Sequence, residues 1–157
     1  MKKIAFVFII IFVAIDILFI VLGYFSKSGE PAGLADGVLA KCPAKPNCVC
    51  SEKINDAVHY IDPIIISQKS SDETMKIIKD TIKELGGTIQ TETGLYLAAT
   101  FSSAIFGFID DIEIRIDSTN NLIHIRSASR VGYGDLGANK KRTELIKDLY
   151  NKKIKSI

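Results

Sequence analysis

The hydrophobic positions change their period along the chain, and each change marks an element. From Ile4 to Phe25 there is no period: 22 consecutive residues, seventeen of them Leu, Ile, Phe or Val, carry the single charge of Asp16. As a helix this run extends about 33 Å, enough to cross a hydrocarbon core of about 30 Å. At about −0.3 kcal/mol for each large apolar residue it outweighs the roughly 3 kcal/mol cost of one acid, so membrane insertion is expected. After Ser26 the apolar pattern lapses into Gly29, Pro31, Gly33 and Gly37, which predicts a linker over 26–40. Ile61 to Ser67 is a β-branched run suited to a strand. With Ser71 as cap and Asp72 and Glu73 in the first turn, Met75, Ile78, Ile82 and Leu85 recur at helical spacing until Gly86-Gly87 stops them.

Four strand-like segments follow, Thr88 to Glu92, Leu95 to Phe101, Asp110 to Asp117 and Leu122 to Arg130, and then a helix from about Asn139 to Lys155. Leu145, Ile146, Leu149, Tyr150 and Ile154 mark the apolar face of that helix. The order predicts an α+β fold: an antiparallel sheet of about five strands with two helices on one face, preceded by one transmembrane helix. The expected organisation is an anchor over 1–25, a linker over 26–40 and a folded domain over 41–157.

Strand parity fixes the central hairpin more closely. Ile112, Ile114 and Ile116 share one face, Ile123 and Ile125 share one face of the next strand, and facing residue numbers must therefore sum to an odd value. A four-residue turn over Ser118-Thr119-Asn120-Asn121 then sets Glu113 opposite Arg126 and Arg115 opposite His124.

Charge orients the anchor. Lys2 and Lys3 precede the apolar run and stay in the cytoplasm by the positive-inside rule, which sends the domain across the membrane. The run ends Gly23-Tyr24-Phe25-Ser26 without a small-x-small cleavage site, so an uncleaved single-pass anchor is expected. The expected location is a bacterial inner membrane with the domain periplasmic. Asp16 is either a contact for a partner helix or proton path, or a protonated acid on a strongly apolar anchor. Overall, 20 Lys and Arg against 18 Asp and Glu argue against a nucleic-acid binder, and no Trp is available for base stacking.

Three motifs stand in order: Cys42-Pro43-x-x-Pro46-Asn47-Cys48-Val49, Phe106-Gly107-Phe108-x-Asp110-Asp111-x-Glu113, and Arg126-Ser127-x-Ser129-Arg130-x-Gly132-Tyr133-x-Asp135-Leu136-Gly137-x-Asn139. With them the chain resembles the family called Domain of Unknown Function 1499 over nearly everything after the anchor. That resemblance implies a fold unit and usually an export signal or anchor, with no settled activity, cofactor or catalytic residue. The chain departs from the family pattern at Cys50, where Ser is more usual.

Outside the cytoplasm the three cysteines lead one to expect a disulfide, with Cys42 and Cys48 the chosen pair and Cys50 left over. Closing that short loop would contribute roughly 2.4 kcal/mol in the chain-entropy model. The spacing C-x5-C-x-C lacks the separated pairs of a zinc site and the C-x-x-C of a redox motif, so no metal is expected.

Gly132 to Gly137 spells G-x-G-x-x-G between a strand and a helix, but too little chain follows for a second parallel strand, which excludes a dinucleotide fold. What remains open is an anion site at the helix start, with Arg126, Arg130, Asn139 and Arg142 as candidate ligand-binding residues, against a plain glycine turn with Asn139 as cap and Asp135 paired to an arginine. From Ala138 onward the chain carries a net +5, suited to anionic headgroups or to a solvated face. Asp110, Asp111, Glu113, Arg115, Asp117, His124, Arg126 and Arg130 would concentrate charge on one hairpin face. Among them, with Asp135, lie the acid–base candidates Asp111, Glu113, His124 and Asp135.

His59 reads as a surface or packing residue. The apolar connection from Phe101 to Phe108 reads as core or a contact surface. The functional expectation is a non-catalytic binding or interaction module, needing no cofactor, for an anionic ligand, a lipid or an envelope protein. The alternative is a small extracytoplasmic enzyme working from the hairpin. A deep pocket with a displaced carboxylate beside His124 would favour the enzyme; a flat, fully paired charged face would favour the module.

Overall fold

The computed structural model describes residues 2–66 and 69–156. The apolar run forms α1 (Lys2–Ser26), and its side chains are bare along almost its whole length, with Phe12 67% exposed. A helix this apolar, bare over most of its length, is long enough to be a membrane anchor. Two short strands, β1 (Leu34–Ala35) and β2 (Val38–Leu39), form a hairpin after it. Next come β3 (Cys48–Cys50), β4 (Ile64–Ile65) and α2 (Ser71–Glu84). The meander β5 (Thr88–Thr93), β6 (Tyr96–Ser102), β7 (Ile109–Asp117) and β8 (Leu122–Ser129) leads into α3 (Ala138–Lys155).

The main sheet is antiparallel, in the order β3-β8-β7-β6-β5, and β4 pairs with the other end of β8. The fold is therefore the α+β architecture the patterning predicts, with a six-stranded sheet. Glu113 pairs with Arg126 and Arg115 with His124, the register derived from isoleucine parity. The turn that sets this register is held by Asp117, whose carboxylate accepts the N–H groups of Thr119 and Asn120 at 3.1 and 3.0 Å.

The alternating residues of β6, β7 and β8 divide the sheet into two faces. One carries Leu97, Ile112, Ile114, Ile116, Ile123 and Ile125, and α2 and α3 cover it with Met75, Ile78, Ile82, Ile146 and Tyr150. Phe101 belongs to this core, whereas residues 103–108 of the connection do not. The cap of α2 is Ser70, one residue before the expected Ser71. Its hydroxyl accepts the Glu73 N–H while the Glu73 carboxylate accepts the Ser70 N–H, a reciprocal pair that Ser71 cannot make from inside the helix. Of the run Ile61 to Ser67 only Ile64–Ile65 pairs as a strand, and Ser67 lies outside the described residues.

The second face is the charged one, and the stretch expected to be a linker folds across it. Leu39 of β2 is fully buried and packs with Cys42, Cys48, Cys50 and Ala128 in a small second core. The Gly33 N–H reaches down to the Glu113 carboxylate at 2.7 Å. Residues 33–42 thus act as a strap over the sheet.

Candidate functional site

The charged face carries Asp111, Glu113, Arg115 and Asp117 from β7 and His124, Arg126 and Arg130 from β8 and its end. Asp110 does not join them. Its number has the opposite parity, and its carboxylate meets Arg142 of α3 at 2.7 Å on the helix side, where that guanidinium also lies 4.8 Å over the Phe101 ring.

Beneath the strap every charge is matched. Glu113, fully buried, accepts Arg126 Nη1 at 2.6 Å, the Tyr96 hydroxyl at 2.9 Å and the Gly33 N–H. Asp111 takes Nε and Nη2 of Arg130 at 2.9 and 2.7 Å. Arg115 donates to Glu52 at 2.6 Å and to Asp117 at 3.4 Å. This is a flat, paired sheet face, in which each candidate acid holds an arginine in place.

His124 lies in the same layer. Its Nδ1 is 3.2 Å from the Ser51 hydroxyl, with Glu52 at 3.7 Å and Asp117 at 4.0 Å from the two ring nitrogens. A serine, an imidazole and a carboxylate in line invite comparison with a nucleophile and base. Here, however, Ser51 is 4% exposed and its oxygen accepts the Ile125 N–H at 2.9 Å, so it is a buried link between β3 and β8. Burial pulls the His124 pKa below the ordinary histidine value. Hydrogen bonds from Asn120, helped by Arg115, hold Asp117 down at about 2.

These shifts give a pH dependence of definite sign. His124 takes its proton at lower pH when folded than when unfolded, where it titrates near 6.5, so stability should fall as pH drops below about 6.5. Asp117 contributes stability that is fully present above about pH 4 and is lost as pH falls toward 2. Urea midpoints measured at pH 7, 5 and 3 should descend, and His124→Gln should flatten the step between 7 and 5 while leaving the step below 4.

At the glycine loop the structure departs from both sequence readings of its cap. The residue before α3 is Gly137, at φ 79°, a left-handed conformation glycine adopts at little cost. The cap is supplied by Asp135, which accepts the N–H groups of Gly137 and Asn139 at 3.0 and 2.8 Å and is not paired with an arginine. A carboxylate therefore already occupies the helix start. Asn139 is 1% exposed and bridges Ser127, Ser129, Asn47, Asp135 and Arg142, tying β8, α3 and the segment before β3 together. Of the four proposed ligand residues, Arg126, Arg130 and Arg142 each face a carboxylate and Asn139 is internal.

The sulfurs of Cys42 and Cys48 stand at bonding distance, with Cα atoms 5.8 Å apart. Cys50 is a buried free thiol whose pKa is raised by burial, which makes it a poor nucleophile. His59 is also buried, its Nδ1 on Asp56 at 2.8 Å and its Nε2 at the Lys45 carbonyl at 3.0 Å. No group of three or more metal-ligating side chains occurs among the described residues.

The part of the charged face that the strap leaves open forms a cleft of about 410 Å³ lined by Lys27, Gly29, Glu30, Pro31, Gln90, Thr91, Tyr96, Ala98 and Arg130. One wall is the chain leaving α1; the other is β5, the outermost strand of the sheet. Sequence reading missed this cleft and the Ser51–Glu52 layer because both arise from folding residues 29–52 onto the hairpin, which leaves no periodic trace.

A family model described as a protein of unknown function, DUF1499, matches residues 38–149. No curated protein matches the chain.

Proposed function

Because the chain belongs to the DUF1499 family, described only as of unknown function, its role must be read from its own geometry, and we propose that it is a membrane-anchored, extracytoplasmic, non-catalytic module that binds an extended polar segment of an envelope protein. The observation that carries this reading is the cleft whose walls are the exit of the anchor and the free edge of β5. An open edge strand offers unpaired N–H and C=O groups, and a partner segment can add to it, with side chains directed into the adjoining cleft. Tyr96 and Gln90, whose donors go to Glu113 and to Thr88 and Thr100, present their oxygens there as acceptors.

The fully paired face supports a module over an enzyme: the acids Asp111, Glu113 and Asp117 are held by arginines, and the cleft is not lined by Ser51 or His124. A free anion is less favoured than a protein segment, since Arg130 gives all its nitrogens to Asp111 and to the carbonyls of Ser26 and Lys27. Retention of the anchor is supported by Ser26, which is 1% exposed and whose hydroxyl accepts the Ile109 N–H at 3.1 Å. Removing α1 would strip a buried residue from the domain.

The test uses the full chain in its native membrane, with a photoreactive residue at Thr91 or, as control, at Ile65 on the far end of the sheet. A discrete protein adduct from Thr91 alone, lost in Ala98→Arg where a long side chain fills the cleft, is expected. Equal labelling from both positions, or adducts to lipid only, would sink the partner site. Recovery of a chain lacking residues 1–25 would sink the anchor.

A further inference from the structure

In an antiparallel sheet the loops leave at two ends, and here one end carries three bare apolar side chains, Ile105, Tyr133 and Leu136, on two adjacent loops. β6 ends at Ser102, β7 starts at Ile109 and β8 ends at Ser129, so loops 103–108 and 130–137 leave together. They leave at the end into which α1 runs: the Ser26 hydroxyl bonds Ile109, and Arg130 bonds the Ser26 and Lys27 carbonyls.

Loop 103–108 is laid along the anchor. The Phe106 ring lies 5.1 Å from that of Phe19 and 6.0 Å from that of Phe108, which itself meets Phe19 edge-on at 6.2 Å. Phe19 is seven residues before the helix end, so at 1.5 Å per residue the aromatic cluster sits about 10 Å below Ser26. At that depth beside a spanning helix the surroundings are the acyl boundary. Ile105, at the tip, is 84% exposed.

The neighbouring loop repeats the pattern. Tyr133 is 72% exposed and Leu136 wholly so, the latter at φ 53°, a left-handed conformation that branched side chains rarely take. The loop is nonetheless pinned, by Asn47 and Lys45 on the Gly132 carbonyl and by Asp135 on Gly137 and Asn139. A strained, rigid loop that displays a leucine to the outside is built to meet an apolar phase. Directly behind it, in the first turn of α3, Lys140 and Lys141 are exposed.

We infer that this end of the domain is seated in the bilayer, with Ile105, Tyr133 and Leu136 inserted at the acyl boundary and Lys140 and Lys141 among anionic headgroups. The occupant is lipid because loop 103–108, at the centre of this rim, is continuous with the apolar surface of α1 through the contacts of Phe106 and Phe108 with Phe19. The seat is a second membrane contact, distinct from the span, and it fixes the tilt of the sheet over the membrane so that the β5 edge faces along the surface. The inference rests on reading α1 as a retained anchor.

The chain contains no tryptophan, so a single introduced one reports its own position. The full chain would be reconstituted in vesicles of phosphatidylcholine and phosphatidylglycerol, with or without bromine on the acyl chains, as Ile105→Trp, Leu136→Trp, Phe12→Trp and Ile65→Trp. Ile65, 71% exposed, pairs with Leu122 at the opposite end of the sheet. Blue-shifted emission lost in brominated lipid is expected for Ile105→Trp and Leu136→Trp, and unquenched, red emission for Ile65→Trp. Loss of signal at Phe12→Trp alone overturns the seat and leaves the anchor intact. No quenching at Phe12→Trp overturns the anchor itself. Should Leu136→Trp be hidden from aqueous acrylamide yet untouched by bromine, protein covers that loop and the seat is refuted.

Discussion

Replacing Glu113 with alanine is expected to destabilise the domain by about 3–5 kcal/mol, the cost of leaving a buried charge without its partner. Stabilities of such domains are about 5–15 kcal/mol, so the variant should be close to unfolding at room temperature. The carboxylate is wholly buried and satisfies three donors from three parts of the chain: Arg126 on β8, Tyr96 on β6 and Gly33 of the strap. Alanine leaves the Arg126 guanidinium charged, 5% exposed and facing a void, and Arg126 Nε has no partner among the described residues even in the native state.

The strap should loosen first, because Gly33 loses its acceptor, so proteolysis near residues 33–42 should accelerate before global unfolding. Glu113→Leu combined with Arg126→Met removes both charges and should recover most of the loss. Urea denaturation of the three proteins decides it. A Glu113→Ala cost below about 1 kcal/mol would show that water reaches the pair and that the face is not the closed layer described.

The hairpin that carries this pair was legible because two constraints acted together: isoleucines on alternating positions set the facing parity, and a turn rich in Asn and Thr set the loop length. Strands β6 to β8 and helix α3 follow for the same reason, since each sets apolar residues against the main core at a fixed period. Even Asp110 obeys the rule: its even number places it with Ile112 and not with Asp111, which a stricter use of parity shows without a structure. What left no trace was everything that packs on the charged face. β3 is buried on both sides within three residues, Cys48 and Cys50 against the strap and Val49 in the main core, so it shows no alternation.

The strap is held by Leu39, by Cys42 bonded to Cys48, and by backbone donors to Glu113 and Glu52, and backbone donors are the same in every sequence. In α3, Leu145 fits the apolar stripe yet is 46% exposed, because the helix rolls to seat Ile146 and Tyr150. The candidate site was therefore half legible. Its charges and their pairing were in the pattern, while the cleft beside them was made by the chain folding back from α1.

That return path depends on one residue near the end of α1. At Gly23 the helix passes so close to the 103–108 loop that a Cβ would overlap the carbonyl oxygen of Phe106, a backbone atom that cannot swing aside. Gly23→Leu should therefore push helix and domain apart, breaking the Phe19–Phe106 contact and the Ser26–Ile109 hydrogen bond, without altering the apolar length available for spanning. The measurement is a cross-link between Phe19→Cys and Phe106→Cys, whose rings are in contact in the native chain, with Cys50 buried and out of reach.

Rapid intramolecular bonding is expected with Gly23 and at least about tenfold less with leucine, corresponding to about 1.4 kcal/mol of lost docking. The urea midpoint of the domain should move little, because the sheet and its two helices make no use of Gly23. Undiminished cross-linking would mean that loop 103–108 and α1 meet by some other route, and that a rigid junction between α1 and the sheet is not what sets the proposed orientation of the β5 cleft.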